Sequence, residues 1–586
     1  MRLFGRVILV LLAVVGSFAL LITALGLWAA FAARPAPLPS QMTLELDVDD
    51  GVVEALPDGP FARLGMPNAY ALKDVVEALD KAARDPRVSA LVARIDSPSL
   101  GMARAQELRD AVLAFRKSGK RTVAFSTSFG GSSAGTVPYY LASAFQEIWL
   151  QPSGDVALTG FVAQSPFFKG TLDLLGIKPE FSGRYEYKTA IDIFTQTKFT
   201  REGKESTERL VESWSRQVTD GIARARNLKA EQVKALIDRA PLMADEAHEA
   251  QLVDRLAYWD ELEKTLTQKG VKLVDLGDYS ARAKPGANAV KVALVYGVGP
   301  VQQGEDRDGP LSEAGVMSAE RVGKALRDAV KDSSVKAILL RIDSPGGSYT
   351  AADAIWREVG NARAAGKPVV VSMGDVAASG GYFAAMPADR IIAQPGTITG
   401  SIGVFSGKMV LGDFWKKLGV SWDEIHDGQN ATMWSSVNGF SPAAWDRLNA
   451  MLDRIYADFT GKAEQARHIK PEDMDRIARG RIWSGEDAKR LGLIDDTGGY
   501  AEAMVLLRQL ARLPSQMPID LVPFPQPKGP LDYLLELART GRLPADVSGH
   551  LASEARLAAM TQTLKPLTAL FPGRDDVLRM PPVEGH

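Results

Sequence analysis

The feature that most constrains the fold of this chain is an internal repeat. The pentapeptide RIDSP occurs at residues 94–98 and again at residues 341–345, a separation of 341 − 94 = 247 positions. A second pair of segments, YYLASAFQEIWLQP from Tyr139 and YFAAMPADRIIAQP from Tyr382, is separated by 382 − 139 = 243 positions. Because self-similarity at a fixed spacing indicates a duplicated structural unit, the chain is predicted to fold as two related halves.

In both halves, short apolar runs that suit buried strands alternate with longer segments of helical periodicity. In the second half the order is VKVALVYGV, AERVGKALRDAVKD, VKAILLRID, AADAIWREVGNARAAG and PVVVSMG. Such alternation is typical of βαβ units, in which helices join parallel strands. The sequence therefore predicts an α/β protein with repeats at residues 42–285 and 286–525, followed by a carboxy-terminal tail at residues 526–586.

The composition excludes several kinds of site. The 69 basic and 71 acidic residues give a net charge of −2, which argues against nucleic acid as a partner. Cysteine is absent, so the chain has no thiol nucleophile and no disulfide. The five histidines show no metal-ligand spacing; they are His248, His426, His468, His550 and His586. We therefore expect no metal and no cofactor, and any hydrolytic reaction must take its base from a lysine or a carboxylate.

Residues 7–33 form an uncharged apolar run, longer than the roughly 20 residues that a helix needs to cross a bilayer. The run predicts a transmembrane helix. Arg2 and Arg6 favour a cytoplasmic amino terminus at residues 1–6, which places the bulk of the chain on the extracytoplasmic side after a linker at residues 34–41. A cleaved signal peptide is the alternative, because small residues end the run.

Two glycine-rich elements of the second half carry the candidate chemistry. IDSPGGS at residues 342–348 ends one strand, and GDVAASGGYFAA at residues 374–385 leads from a strand into a helix. A serine before paired glycines at such a junction can expose its hydroxyl, while nearby backbone N–H groups point toward a developing oxyanion. Ser379 is therefore the candidate nucleophile, with a tight turn that has no catalytic role as the alternative.

With PGTITGSIGV at residues 395–404, these elements resemble the signal peptide peptidase A family of serine peptidases, in its long two-domain form. The family is related to the Clp proteases and crotonases, and the resemblance covers nearly the whole chain. It implies a Clp/crotonase-like fold in each repeat and a serine–lysine dyad. It also implies hydrophobic substrates such as cleaved signal peptides, and a homotetramer at the inner membrane.

The resemblance also assigns the site residues. It implies Ser379 as the nucleophile and Lys188, in YEYKTAIDIF, as the general base, with threonine following the lysine where the family has serine. Ser401 would hold the lysine amine, and the backbone N–H groups of Gly347 and Gly380 would form the oxyanion hole. A lysine with a reference pKa of about 10.4 must be buried to act as a base at neutral pH. An extended substrate is expected to pair with the segment TITGSIGV.

The repeat divides this site between the halves. The position that matches Ser379 is 379 − 243 = 136, a threonine with no paired glycines after it, and the first copy has SPSL where the second has SPGG. The position that matches Lys188 is 188 + 243 = 431, an alanine. Each half is therefore predicted to be incomplete, while the two together hold one dyad.

Two other functions remain open alongside the peptidase. A crotonase-type acyl-thioester enzyme would use similar glycine-rich loops, but the membrane segment and the YK motif count against it. A degenerate, membrane-tethered scaffold would only bind peptides, but the retention of Ser379, Lys188 and the glycines in complementary halves counts against that. The sequence leaves open whether the dyad forms within one chain or between subunits.

Overall fold

The computed structural model describes residues 37–56, 68–131, 133–282, 288–304 and 315–526, with the backbone of two short strands at 578–579 and 584–585. The predicted transmembrane segment at residues 7–33 lies outside the described residues. Among the helices that are described, none is both long and apolar enough to cross a bilayer.

Six parallel strands form the sheet of the first half. From edge to edge they are Arg255–Leu256, Glu147–Leu150, Arg121–Ser126, Val88–Arg94, Met42–Asp47 and Lys272–Asp275. In the central strand, every side chain between Ser89 and Arg94 is buried, as expected for a parallel sheet that is covered on both faces. The covering helices and those beside them are Leu72–Arg84, Met102–Arg116, Thr136–Ala142, Lys169–Leu175, Asp192–Thr195, Arg201–Arg226, Ala230–Arg239, Ala244–Glu249, Trp259–Leu266 and Leu276–Arg282.

The second half repeats this arrangement with an eight-stranded sheet. Its main row is Ile482–Ser484, Ile398–Gly400, Val369–Ala378, Ala337–Ser344, Val290–Val298 and Ile519–Phe524, with Arg390–Ala393 and Asp496–Thr497 branching from Val369–Ala378. All pairs are parallel except the one between Ile398–Gly400 and Ile482–Ser484. The helices of this half are Ala319–Lys331, Tyr349–Ala364, Gly380–Ala385, Gly412–Lys417, Pro442–Arg467, Pro471–Ile477, Gly485–Arg490 and Tyr500–Leu510.

The duplication predicted from the sequence extends to details of individual helices. Arg201–Arg226 and Pro442–Arg467 each have 26 residues. Each begins after a hydroxyl residue, Thr200 or Ser441, whose side chain accepts a hydrogen bond from a backbone N–H of the first turn. Each ends at a residue in the left-handed conformation. The two halves are therefore copies of one structural unit.

The halves share a hydrophobic core. Val292 and Leu339, on the second sheet, belong to the same buried cluster as Leu44 and Leu72 of the first half. The helix Met102–Arg116 lies at this boundary, and it buries Gln106 and Glu107 as well as apolar side chains. Burial of the apolar side chains in this cluster stabilises the contact between the halves by the hydrophobic effect. Neither half is therefore an independent globule.

Short strands complete the structure. The pairs are Val52–Val53 with Tyr70–Ala71, Asp155–Val156 with Leu242–Met243, Val301–Gln302 with Met317–Ser318 and with Gly346–Gly347, Gly346–Gly347 with Leu578–Arg579, and Ala163–Gln164 with Glu584–Gly585. Single 3₁₀ turns occur at Thr189–Ile191 and Gln268–Gly270.

Candidate active site

A two-stranded ribbon between the halves brings the candidate residues together. Lys178–Arg184 of the first half pairs antiparallel with Val404–Val410 of the second, from Arg184 opposite Val404 to Lys178 opposite Val410. Lys188 follows the first strand by four positions, and Ser401 precedes the second by three. Since antiparallel pairing fixes which residues stand opposite each other, the ribbon delivers the lysine of one half to the serines of the other.

Ser379 lies at the junction between the strand Val369–Ala378 and the helix Gly380–Ala385, in a strained conformation. Its φ of 54° and ψ of −114° are unusual for a residue with a side chain. The surroundings hold it there, because Ser379 N donates to the carbonyl oxygen of Gly400 at 2.8 Å and the Ser379 carbonyl accepts from Phe383 N at 2.8 Å. Such strain costs on the order of 1–3 kcal/mol and persists at sites where a side chain must be aimed.

The amine of Lys188 contacts both serines of the second half. Its Nζ lies 2.7 Å from Ser379 Oγ, 3.0 Å from Ser401 Oγ and 3.0 Å from the Ser401 carbonyl oxygen. All three residues are buried, with Lys188 only 2% exposed. Burial lowers the pKa of Lys188 well below its ordinary value, because an ammonium loses its hydration there. The desolvation that the sequence analysis required for a lysine base is therefore present.

The backbone around Lys188 is fixed by contacts with Arg479 and Gly480 of the second half. Tyr187 N donates to the Arg479 carbonyl oxygen at 3.1 Å. Gly480 has a φ of +90°, and a Cβ there would lie 2.4 Å from Lys188 N, so only glycine fits against the lysine. The Tyr187 hydroxyl donates to Glu205 Oε2 at 2.9 Å, which anchors the side chain next to Lys188 in sequence.

Two glycine segments meet beside Ser379. Gly346 and Gly347 have φ values of 99° and 156°, and both follow Ser344, whose Oγ accepts from Gly346 N at 3.2 Å. A Cβ at Gly380 would lie 3.1 Å from Gly347 N, so the backbones of Gly347 and Gly380 approach closely. Gly380 is also the first residue of its helix, where a backbone N–H has no acceptor within the helix.

The structure brings together all five residues that the sequence analysis selected. One expectation was wrong: the strand within TITGSIGV, Ile398–Gly400, has no free edge for a peptide, because Val376–Ala378 and Ile482–Ser484 pair with its two sides. Gly346–Gly347 instead accepts an antiparallel strand, Leu578–Arg579, from the chain itself.

A protein-family model matches both halves of the chain. The model of peptidase family S49 matches residues 114–273 and 361–514, which is one match in each half. The two matches together cover more than half of the chain. The chain belongs to peptidase family S49.

Curated relatives of this S49 peptidase are named as proteases and peptidases. The chain is 32% identical over 481 residues to "Serine protease SPPA, chloroplastic" of Arabidopsis thaliana, covering 80% of this chain and 70% of the relative. It is 31% identical over 465 residues to "Protease 4" of Salmonella typhi, covering 76% and 72%. "Putative signal peptide peptidase SppA" of Enterococcus faecium is 28% identical over 188 residues, covering 32% and 55%. The chain is thus an SppA-type serine peptidase.

Solved structures give a weaker likeness. A ClpP1 variant from Listeria monocytogenes aligns with 37% of this chain and 94% of its own, at 14% identity and a TM-score of 0.24. A likeness at this level does not establish a shared overall fold.

Among the described residues of the S49 peptidase, no group of three histidine or acidic side chains could hold a metal ion.

A buried ionic cluster between the halves was missed by the sequence analysis. Arg341, the arginine of the second RIDSP motif, is 0% exposed. Its guanidinium donates to Glu54 at 2.8 and 3.0 Å and to Glu107 at 2.9 Å, and both acids belong to the first half. Burial raises the pKa of Glu107 to about 7; the charge of Glu54 adds to the rise and Arg341 opposes it. The unequal exposure of the two motif arginines cannot be read from identical pentapeptides.

Proposed function

We propose that Ser379 and Lys188 form the catalytic dyad of this S49 peptidase, with Ser379 as nucleophile and Lys188 as general base. The observation that carries the proposal is the 2.7 Å contact between Lys188 Nζ and Ser379 Oγ in a buried site. A neutral amine offers one lone pair and two N–H donors. Ser379 O–H can donate to the lone pair, while Ser401 Oγ and its carbonyl oxygen accept the two N–H groups.

The chemical steps follow from that arrangement. As Ser379 Oγ attacks the carbonyl carbon of the scissile bond, the Lys188 amine takes the hydroxyl proton. The ammonium that forms is held by the two oxygens of Ser401 and then gives its proton to the leaving amine, as the C–N bond breaks and an acyl-enzyme remains. Water hydrolyses the ester in the second half-reaction, with Lys188 taking the proton of the water and returning it to Ser379.

The developing oxyanion would be held by the backbone N–H groups of Gly347 and Gly380. These glycines approach each other beside Ser379, and Gly380 N–H is free of intrahelical pairing. Donors that are fixed before the reaction stabilise charge without reorganisation, and a single one typically contributes about 3 kcal/mol to the rate.

We propose hydrophobic peptides, including cleaved signal peptides, as the substrate class. A peptide would bind by taking the place of the chain's own Leu578–Arg579 as the antiparallel strand beside Gly346–Gly347, whose other side pairs with Val301–Gln302. The name of the Enterococcus faecium relative supports the signal-peptide assignment. The glycine loop would then serve both purposes, since it would pair with the substrate strand while the Gly347 N–H donates to the reacting carbonyl oxygen.

Location and assembly are part of the proposal. Residues 7–33 would anchor the protein in the inner membrane with its catalytic body on the extracytoplasmic side, because the run is uncharged and basic residues precede it. The two α/β repeats would have the Clp/crotonase-like topology, and the enzyme would act as a homotetramer. Since Lys188 reaches Ser379 within one chain, each subunit would carry its own dyad.

The two alternatives fit the site less well. A crotonase-type enzyme holds a thioester in its oxyanion loops and has no need of a buried lysine against a serine. A scaffold that only binds peptides has no need of the strained φ of 54° at Ser379, which costs stability and serves to aim a hydroxyl.

The dyad is tested with the detergent-solubilised full chain and an apolar peptide ester. Ser379→Ala and Lys188→Ala are each expected to lower kcat by about 10⁴-fold or more, as removal of a nucleophile or its base does in other serine peptidases. Near-normal turnover in either variant would exclude the dyad. Mixing the two inactive variants tests placement: recovered activity would show that sites are shared between subunits, and none is expected.

A further inference from the structure

One helix of the first half presents a row of hydrogen-bonding groups to the second half. This helix, Met102–Arg116, is named the inter-half helix below. Gln106 Oε1 accepts from Gly396 N at 2.7 Å, and Glu107 accepts from Arg341 at 2.9 Å. The two positions are adjacent on the helix, and both of their partners belong to the second half. The inter-half helix therefore ties the lysine-bearing half to the serine-bearing half.

The amino terminus of the inter-half helix is capped by the other half. Gly101 precedes the helix and has no side chain to cap it. The carboxylate of Asp375, from the second half, instead accepts hydrogen bonds from Ala103 N at 2.9 Å and Arg104 N at 3.0 Å. These N–H groups are the ones that an N-cap side chain ordinarily satisfies. The Arg104 guanidinium contacts the same carboxylate and also donates to the Val52 carbonyl oxygen at 2.8 Å.

The repeat shows that this cap replaces a local one. The position that matches Gly101 is 101 + 247 = 348, a serine. Ser348 caps its own helix, Tyr349–Ala364, by accepting from Ala351 N. The first copy could not use a serine in the same place, because a Cβ on Gly101 would lie 2.2 Å from the Asp375 carboxylate carbon. A cap within one half has become a contact between the halves.

Asp375 stands four positions before Ser379 on the strand Val369–Ala378. We propose that Asp375 is a positioning residue: by capping the inter-half helix, it fixes the strand that ends at Ser379 relative to the half that carries Lys188. The next residue of the strand is held as well, since Val376 N donates to Asp343 Oδ1 at 2.9 Å. The inference rests on the proposed dyad, whose 2.7 Å contact joins two halves that must be held in register.

The test separates the role of a helix cap from the role of a tie between halves. Asp375→Ala removes both the cap and the tie. The double variant Asp375→Ala/Gly101→Ser restores a cap, because the alanine frees the space and the new serine stands where Ser348 does in the second copy. Ser441→Ala is the matched control, since it removes the N-cap of Pro442–Arg467 within one half. The measurements are kcat and KM on the peptide ester, the pH profile of kcat and the thermal midpoint.

For Asp375→Ala we expect a lower thermal midpoint and a kcat reduced about tenfold, because small displacements of reacting groups slow catalysis steeply. The double variant is expected to recover the midpoint while kcat stays about tenfold low, with KM within about twofold of wild type. The acidic limb of its pH profile should move to higher pH as a loosened site admits water to Lys188. Ser441→Ala is expected to lower the midpoint at unchanged kcat.

Recovery of wild-type kcat and pH profile in the double variant would reduce Asp375 to a helix cap and overturn the proposal. If the alanine variants do not fold, Asp375→Asn carries the test: its amide oxygen can still cap the helix, but its amide N–H₂ would face the Arg104 guanidinium, donor against donor, and this weakens the contact between the halves. A kcat lowered a few-fold with an unchanged midpoint would support the tie, and an unchanged kcat would contradict it. Ser379→Ala and Lys188→Ala run in parallel, and activity in those variants would reject the dyad itself, whatever the tie shows.

Discussion

The two halves place a hydroxyl residue at the same point of the same fold and use it differently. Thr136 begins the helix Thr136–Ala142 and matches Ser379 in the repeat. Its Oγ1 donates to the Gly160 carbonyl oxygen and accepts from Gly160 N, both at 2.9 Å, so the hydroxyl is fully occupied by one loop. The Ser379 hydroxyl meets the Lys188 amine instead. The hydroxyl at this junction is therefore bound by its own half in the first copy, whereas in the second copy it contacts a lysine of the other half.

The motif arginines show the same divergence. Arg94 has a side chain 42% exposed and pairs loosely with Asp47 at 3.6 Å. Arg341, in the identical pentapeptide, is fully buried and forms ion pairs with Glu54 and Glu107 from the other half. In the second copy the motif arginine is thus part of the buried contact between the halves, whereas in the first copy it lies near the surface.

The largest expected effect tests that difference. Arg341→Met should destabilise the protein by about 4 kcal/mol, because it leaves two carboxylates buried without their partner. Arg94→Met should cost less than about 1 kcal/mol, as for other exposed pairs. Urea unfolding at pH 8 measures both variants. Equal losses would contradict the unequal roles of the two arginines.

Much of the site was predictable from the sequence. The spacing of the repeat identified matching positions, and the glycine-marked junction between a strand and a helix selected Ser379. Lys188 and Ser401 were assigned through the family resemblance, by the motifs YEYKTAIDIF and TGSIG. Glu54 and Asp375 could not be selected, since each is a single acid whose partner is decided by how the halves pack. One signal was available: Gly101 stands where the second copy has a capping serine, and a lost cap implies a replacement from elsewhere.

Glu107 gives the next prediction, which concerns pH. Its pKa is about 7 in the folded chain, so between about pH 4.5 and 7 the folded protein binds a proton that the unfolded chain releases. Stability from this group is therefore present at low pH and is lost as the pH rises through 7, by about 3 kcal/mol. Glu107→Gln should flatten the curve of unfolding free energy between pH 5 and 8.

The matching helix of the second half supplies the control for this pH dependence. Glu358 lies on Tyr349–Ala364 and pairs with Arg327 near the surface. Glu358→Gln should leave the pH curve parallel to that of wild type, because Glu358 lies outside the buried cluster of Arg341, Glu54 and Glu107. A Glu107→Gln curve as steep as the wild-type curve would assign the dependence to another group.

A swap at the matching hydroxyls tests the backbone argument. Ser379→Thr should lower kcat by about 100-fold, because a β-branched side chain fits poorly at a φ of 54° and the hydroxyl moves away from Lys188. Thr136→Ser keeps the contacts with Gly160 and should leave kcat unchanged. The peptide ester assay decides both, and a fully active Ser379→Thr variant would mean that the strained turn does not aim the nucleophile.

The smallest effect concerns Ser401, which matches Leu158, 401 − 243 = 158, in the core of the first half. Ser401→Ala removes one of two oxygens that hold the lysine amine and should lower kcat about tenfold, the value of one hydrogen bond. Since that oxygen accepts from the ammonium, its loss should also lower the pKa of Lys188 further and move the acidic limb of the kcat profile to lower pH. Thr399→Val is the control, because its buried hydroxyl donates to Ala377 and not to the amine. If the acidic limb moves to higher pH instead, the pKa of Lys188 has risen because water has replaced the Ser401 hydroxyl. The low pKa of Lys188 would then depend on burial and not on Ser401.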